Sequence, residues 1–183
     1  YGFSLIRKII EISGADITGP APFDSEHPSR DIERFSIGEI TLGEVLLNPT
    51  RIYCDPVIDL INACRSGDGP CNFDDIHAIA HITGGGLSNL LRLHDHLGWH
   101  ISDPLPPQPE FAWAMAQGQI DTKEMHRTFN MGCGMIIAVS NQSGVAVTEW
   151  LAGRLSGCSI IGEVVDHGHK VTHVHPDIVF EHY

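Results

Sequence analysis

The residues best equipped for chemistry stand together near the middle of the chain. They are Thr83-Gly84-Gly85-Gly86, preceded by His81 and followed by Asn89 and Arg92. Three consecutive glycines let a backbone approach a ligand closely and turn several N–H groups the same way, which suits a phosphate. A helix starting just beyond would add partial positive charge. The same glycines also serve a tight turn that binds nothing, and spacing alone leaves both readings open. No Gly-Lys-Ser/Thr follows, so the segment is not a P-loop, and its spacing is not the dinucleotide pattern. His81 has the right type for proton transfer or hydrogen bonding near neutral pH, or for packing as a histidine satisfied by backbone. Arg51, Arg92 and Arg127, each close to Asn or Thr, make a candidate phosphate set. Scattered surface arginines look the same one at a time.

A metal reading competes. His94, His96 and His100 cluster, and His167, His169, His173 and His175 form two H-x-H pairs. Alternating histidines on a strand can bring two imidazoles to one face, which zinc favours. No cysteine completes a structural-zinc spacing, so solvated His-rich segments are the default and no metal ligand is assigned. Cys54, Cys64, Cys71, Cys133 and Cys158 are odd in number and lack C-x-x-C spacing, which fits reduced thiols in a cytosol. There is no G-x-S-x-G elbow, which disfavours a serine hydrolase.

These residues need elements to hold them. Leu5, Ile6, Ile9 and Ile10 form the apolar stripe of a first helix that ends at Ser13-Gly14. Residues 15–36 read as a long surface loop, and Leu42 to Leu47 as a short helix. The next helix takes Asp55 as N-cap and Pro56 at its first position, with Val57, Ile58, Ile61 and Cys64 on one face. Ile76 to Ile82 alternates as a strand, with His77, Ile79 and His81 sharing one side. Leu87 to Leu93 reads as a helix, Trp99 to Ser102 as a strand, and Pro104 to Pro107 as an extended connector. Helices follow at Pro109–Gln117 and Thr122–Thr128, the second with a capping-box pair in Asp121 and Glu124. Gly134 to Ser140 is a buried strand, Ser143 to Leu155 a helix, and Ile160–Val165 and Lys170–Val174 further strands. The alternation gives an α/β (α+β) class, a mixed sheet covered by helices.

Composition narrows the function. The chain has 183 residues, enough for one domain with a proper core, and its 42% hydrophobic and 19% charged residues are those of an ordinary globule. A net charge of −12 with three lysines leaves no broad basic surface for nucleic acid. No apolar run reaches the ~20 residues of a membrane span. The chain opens at Tyr1 with a core-type helix almost at once, which reads as a cut chain.

Five segments occur in one order: Tyr1-Gly2-Phe3-Ser4-Leu5-Ile6-Arg7-Lys8, Leu47-Asn48-Pro49-Thr50-Arg51-Ile52-Tyr53, His77 to Gly86, Glu124-Met125-His126-Arg127-Thr128-Phe129-Asn130-Met131-Gly132, and Ile161-Gly162-Glu163-Val164. Together they resemble the C-terminal half of the AIR synthetase (phosphoribosylformylglycinamidine cyclo-ligase) family, over residues 1–166. Residues 167–183 then read as a His-rich extension with room for one strand.

The resemblance implies an ATP- and Mg²⁺-dependent closure of the imidazole ring of formylglycinamidine ribonucleotide in purine biosynthesis. It implies that Thr83, Gly84, Gly85 and Gly86 bind substrate phosphate, flanked by His81 as the catalytic candidate and by Asn89 and Arg92. Arg127 and Asn130 would serve from a second loop. ATP and Mg²⁺ would be held mainly by the family's N-terminal half, which this chain lacks. The resemblance further implies a cytoplasmic homodimer for the full-length enzyme, and a fragment that folds yet does not turn over. Leu91 stands where the family usually has proline, and His94 to Trp99 differ from its usual stretch. Two other readings are a relative in the same superfamily, such as selenophosphate synthetase or thiamine-monophosphate kinase, and a non-catalytic domain binding a phosphorylated metabolite or a subunit.

Overall fold

In the computed structural model, which describes residues 2–26, 32, 35 and 37–183, six helices and six strands form around one central ribbon. The helices are α1 (Phe3–Ser13), α2 (Leu42–Leu46), α3 (Cys54–Ser66), α4 (Pro109–Gly118), α5 (Thr122–Thr128) and α6 (Gly144–Ala152). The strands are β1 (Ile76–His81), β2 (Gly98–Ile101), β3 (Met135–Val139), β4 (Gly162–Val165), β5 (Val171–His173) and β6 (Val179–Phe180). Mixed strands and helices confirm the α/β class.

β1 and β3 pair antiparallel, with Ile79 opposite Ile137 and His81 opposite Met135. Side chains alternate across a strand, so the ribbon serves two cores at once. Ala80, Ile136 and Ala138 pack with Leu90, Trp99 and Ile101 on one side. Ile76, Ile137 and Val139 pack with Leu60 and Cys64 of α3 and Val147 and Leu151 of α6 on the other. The second sheet runs β4-β2-β5-β6, parallel only between β2 and β5. A third cluster joins α1, α4 and α5 through Ile9, Ala114, Met125 and Phe129. No helix among the described residues is long and apolar enough to cross a membrane.

Several details differ from the sequence reading. α3 begins at Cys54 with Tyr53 as its N-cap, so Asp55 sits in the first turn rather than capping it. Its buried stripe is Leu60 and Cys64, whereas Ile58 is 53% exposed. Asp121 caps α5 by accepting from the Glu124 N–H at 2.9 Å. Glu124 does not reach back; its Oε1 accepts from Thr128 Oγ1 instead, at 2.9 Å. The complete capping box belongs to α2, between Thr41 and Glu44.

The segment Gly86–Arg92 is 3-10 rather than α-helical. Ser88 N–H and Oγ both donate to the Gly85 carbonyl, at 3.1 and 2.7 Å, taking the acceptor that the first α-type bond would use. Residues 167–183 carry β5 and β6 and bury Val171, Ile178 and Phe180 in the same core as Leu90 and Trp99.

Candidate functional site

β1 delivers His81 and Ile82 to the glycine turn, and Ile82 N–H holds the strand end by donating to the Gly134 carbonyl at 2.9 Å. The turn closes when Gly86 N–H donates to the Thr83 carbonyl, also at 2.9 Å. Gly85 and Gly86 have φ of +98° and +54°, the left-handed region that favours glycine.

Asn89 organises the turn from within. It is 1% exposed, and its Nδ2 donates to the carbonyls of Gly84 (3.1 Å) and Gly86 (2.7 Å). Its Oδ1 accepts from Thr83 Oγ1 at 3.2 Å and from an Arg92 guanidinium nitrogen. Ser88 takes the Gly85 carbonyl with both its N–H (3.1 Å) and its Oγ (2.7 Å). All three glycine carbonyls are thereby satisfied inside. The N–H groups of Gly84 and Gly85 have no acceptor among the described residues.

Two remote segments lie on this turn. A β-carbon on Gly86 would stand 1.8 Å from the His126 carbonyl oxygen and 2.9 Å from that of Phe129. Gly86 is therefore required by the close approach of α5. A β-carbon on Gly85 would stand 3.2 Å from Tyr183 Cε2. The Arg92 guanidinium lies 4.4 Å from the centre of that tyrosine ring.

The other sequence-derived candidates divide between this turn and a separate cavity. Arg127, at the end of α5, is brought beside Gly86 by its neighbour His126 and is exposed, with no hydrogen-bond partner among the described residues. His81 is exposed, and its ring lies 5.9 Å from that of Tyr53. Asn130 accepts from the Gly132 N–H at 3.0 Å and lines a cavity of about 920 Å³. Arg51 lines the same cavity and donates to the Ser156 carbonyl (2.7 Å) and Oγ (3.0 Å). Arg51 thus ties down the loop after α6 rather than joining Arg92 and Arg127.

All five residues of β3 line the cavity, so it runs along that strand's edge. Tyr53, Trp99, Cys133 and Cys158 also line it, and sequence reasoning had assigned none of them to a site. Burial pushes the Cys133 thiol up to about 12 and raises Cys158 as well, so neither is a ready thiolate nucleophile. Burial likewise raises Tyr53, with Arg51 pulling the other way.

His94, His173 and His175 cap turns, while His100 and His167 meet Thr172 Oγ1 and His169 the Leu91 carbonyl. His94 Nδ1 accepts from the His96 (3.0 Å) and Leu97 (3.1 Å) N–H groups. His173 Nδ1 accepts from His175 N–H at 2.9 Å, and His175 Nδ1 from Asp177 N–H at 3.3 Å. Among the described residues no three His, Cys, Asp or Glu side chains converge to hold a metal.

Comparison with known proteins adds the lineage. Residues 2–175 match the family described as AIR synthase related protein, C-terminal domain. The chain is 36% identical over 170 residues to a phosphoribosylformylglycinamidine cyclo-ligase of Methanosarcina acetivorans, covering 93% of this chain and 42% of that protein. It is 36% identical over 180 residues to the Methanosarcina mazei protein of the same name, covering 98% and 44%. The correspondingly named protein of Crocosphaera subtropica is 38% identical over 169 residues, covering 90% and 43%. The chain therefore spans less than half the length of these relatives.

Proposed function

Because the chain belongs to the family of AIR synthase related proteins, as its C-terminal domain, we propose that it is the substrate-holding part of a phosphoribosylformylglycinamidine cyclo-ligase. The reaction closes an imidazole ring. ATP phosphorylates the formyl oxygen of formylglycinamidine ribonucleotide, an amidine nitrogen attacks the activated carbon, and phosphate leaves as aminoimidazole ribonucleotide forms. Such chemistry depends on positioning and on stabilising phosphoryl charge, and this chain's contribution is to hold an anion in place.

One observation carries the reading: the N–H groups of Gly84 and Gly85 have no acceptor among the described residues, while Asn89 and Ser88 draw every glycine carbonyl of the turn inward. A turn built this way presents donors only, which suits a phosphate. Arg92 and Arg127 supply charge from either side, and Thr83 belongs to the same rim. Asn89 is a positioning residue here, since its own donors and acceptors are engaged within the turn. His81 and Asn130 face the substrate beyond its phosphate. The described residues offer no three-ligand site fit for a resident Mg²⁺. We assign ATP and its cation to the half of the relatives that the chain does not cover, and with it the homodimer contact and a cytoplasmic setting.

The test is a titration of ¹⁵N-labelled chain with ribose 5-phosphate, followed through backbone amide resonances. The amides of Gly84 and Gly85 should move, while those of Gly14 and Gly67, on distant helix ends, stay. Silence at the glycine turn would remove the phosphate assignment. The same preparation should form no aminoimidazole ribonucleotide from substrate and Mg-ATP.

A further inference from the structure

We propose that Tyr183 is a gate over the glycine turn, and that phosphate enters when its ring swings off Gly85. This rests on the phosphate reading above and adds to it a residue that competes with the ligand. The segment is well placed to act this way. Its root is fixed, because Ile178 and Phe180 are buried in the core and Val179 and Phe180 pair with β5. Beyond that anchor Glu181, His182 and Tyr183 are exposed, so the ring is held by what it touches rather than by enclosure.

What it touches is the turn itself. Tyr183 Cε2 sits 3.2 Å from the place of a Gly85 β-carbon, alongside Asn89 Nδ2 and Ser88 Oγ, so the ring packs directly against the residue whose N–H the anion would meet. Its ring also covers the Arg92 guanidinium, 4.4 Å from the ring centre. Arg92 is held to Asn89 as well, so the guanidinium stays in place when the ring leaves. Opening therefore bares Gly85 and a fixed positive charge together.

The hold is weak enough to be a gate and not a plug. Tyr183 is 64% exposed, and a cation–π stack at such a site is worth about 0.5–1 kcal/mol. Apparent affinity falls by the fraction of molecules already open. Removing the ring should tighten anion binding about three- to sixfold, the inverse of the open fraction that this energy leaves.

The experiment compares wild-type chain with Tyr183→Ala and Tyr183→Phe, using inorganic phosphate as probe and the Gly84 and Gly85 amides as readout. A second readout needs no phosphate: the rate at which phenylglyoxal modifies Arg92, followed by peptide mass spectrometry. Tyr183→Ala should bind phosphate about three- to sixfold more tightly and expose Arg92 to faster modification, with Tyr183→Phe matching wild type. Equal Arg92 rates in all three proteins would overturn the gate. Weaker phosphate binding by Tyr183→Ala would overturn it too, because the ring would then be part of the ligand's seat. Faster Arg92 modification with glycine amides indifferent to phosphate in every variant would keep Tyr183 as a cover of Arg92, and would overturn both the entry of phosphate there and the phosphate reading itself.

Discussion

The carbonyl oxygen of His126 occupies the place of a side chain on Gly86, 1.8 Å from where a β-carbon would stand. The contact joins α5 to the glycine turn and sets Arg127 beside it. Gly86→Ala must push α5 away and also adopt a φ of +54°. Left-handed strain and overpacking each cost about 1–3 kcal/mol, so a loss of about 3 kcal/mol is expected in urea unfolding. Gly67 has a φ of +84° but open space around it, so Gly67→Ala should cost only about 1 kcal/mol. Equal losses at the two glycines would remove the packing argument.

Asn89 supplies the turn's internal order. Asn89→Ala deletes its bonds to Thr83, Gly84 and Gly86 and leaves buried carbonyls without donors. At roughly 1 kcal/mol per net hydrogen bond, about 2–3 kcal/mol of stability should go. Asn89→Asp is expected to be worse, because a carboxylate would face two carbonyl oxygens. Hydrogen exchange offers the local check: the Gly86 amide, bonded to Thr83, should lose protection in both variants.

How far the sequence led depended on how local each cause was. β1 was readable because alternation along Ile76 to His81 is a property of the strand itself. The glycine turn was readable as a turn, but not the reason for each glycine. Gly86 answers to His126 and Gly85 lies under Tyr183, both far along the chain. β6 has two residues, too few to show a period, and it became visible only through its pairing with β5. The H-x-H spacing left a metal and a solvated segment both open for a physical reason. At His94 and His173 the imidazole Nδ1 accepts the N–H two residues on, which produces the same spacing as a pair of metal ligands, whereas His169 meets the Leu91 carbonyl. Within the candidate site, Arg51 looked equivalent to Arg92 and Arg127 until its bonds to Ser156 placed it elsewhere.

Arg127 separates a binding role from a structural one. It is exposed and without a hydrogen-bond partner among the described residues, so its removal should cost little stability. A charge-assisted bond to phosphate is worth about 1.5–3 kcal/mol. In an intact cyclo-ligase carrying this domain, Arg127→Ala should lower kcat/KM at least tenfold, while its Tm stays near that of the parent. Unchanged kinetics would return Arg127 to the solvated surface.

Acid should weaken the fold through His173. Burial first, then the imidazoles of His126, His175 and His100, drive it down from 6.5 to about 4. His126 is lowered as well, mainly by burial and further by His175, against its bond to the Thr122 carbonyl. The rings of His126 and His173 lie 5.2 Å apart, and His173 Nδ1 already accepts from His175 N–H. A proton at Nδ1 would break that cap. Because these folded values lie below 6.5, the unfolded chain takes up protons first. Stability is intact above about pH 6.5 and drains away toward pH 4. His173 is half-buried, so solvent screening shrinks the loss below what the shift alone implies. The urea midpoint should therefore fall steadily between pH 7 and pH 4.5. His173→Asn keeps an acceptor for the His175 N–H but cannot titrate, so its midpoint should fall less steeply. Parallel curves for the two proteins would assign the acid loss to other groups.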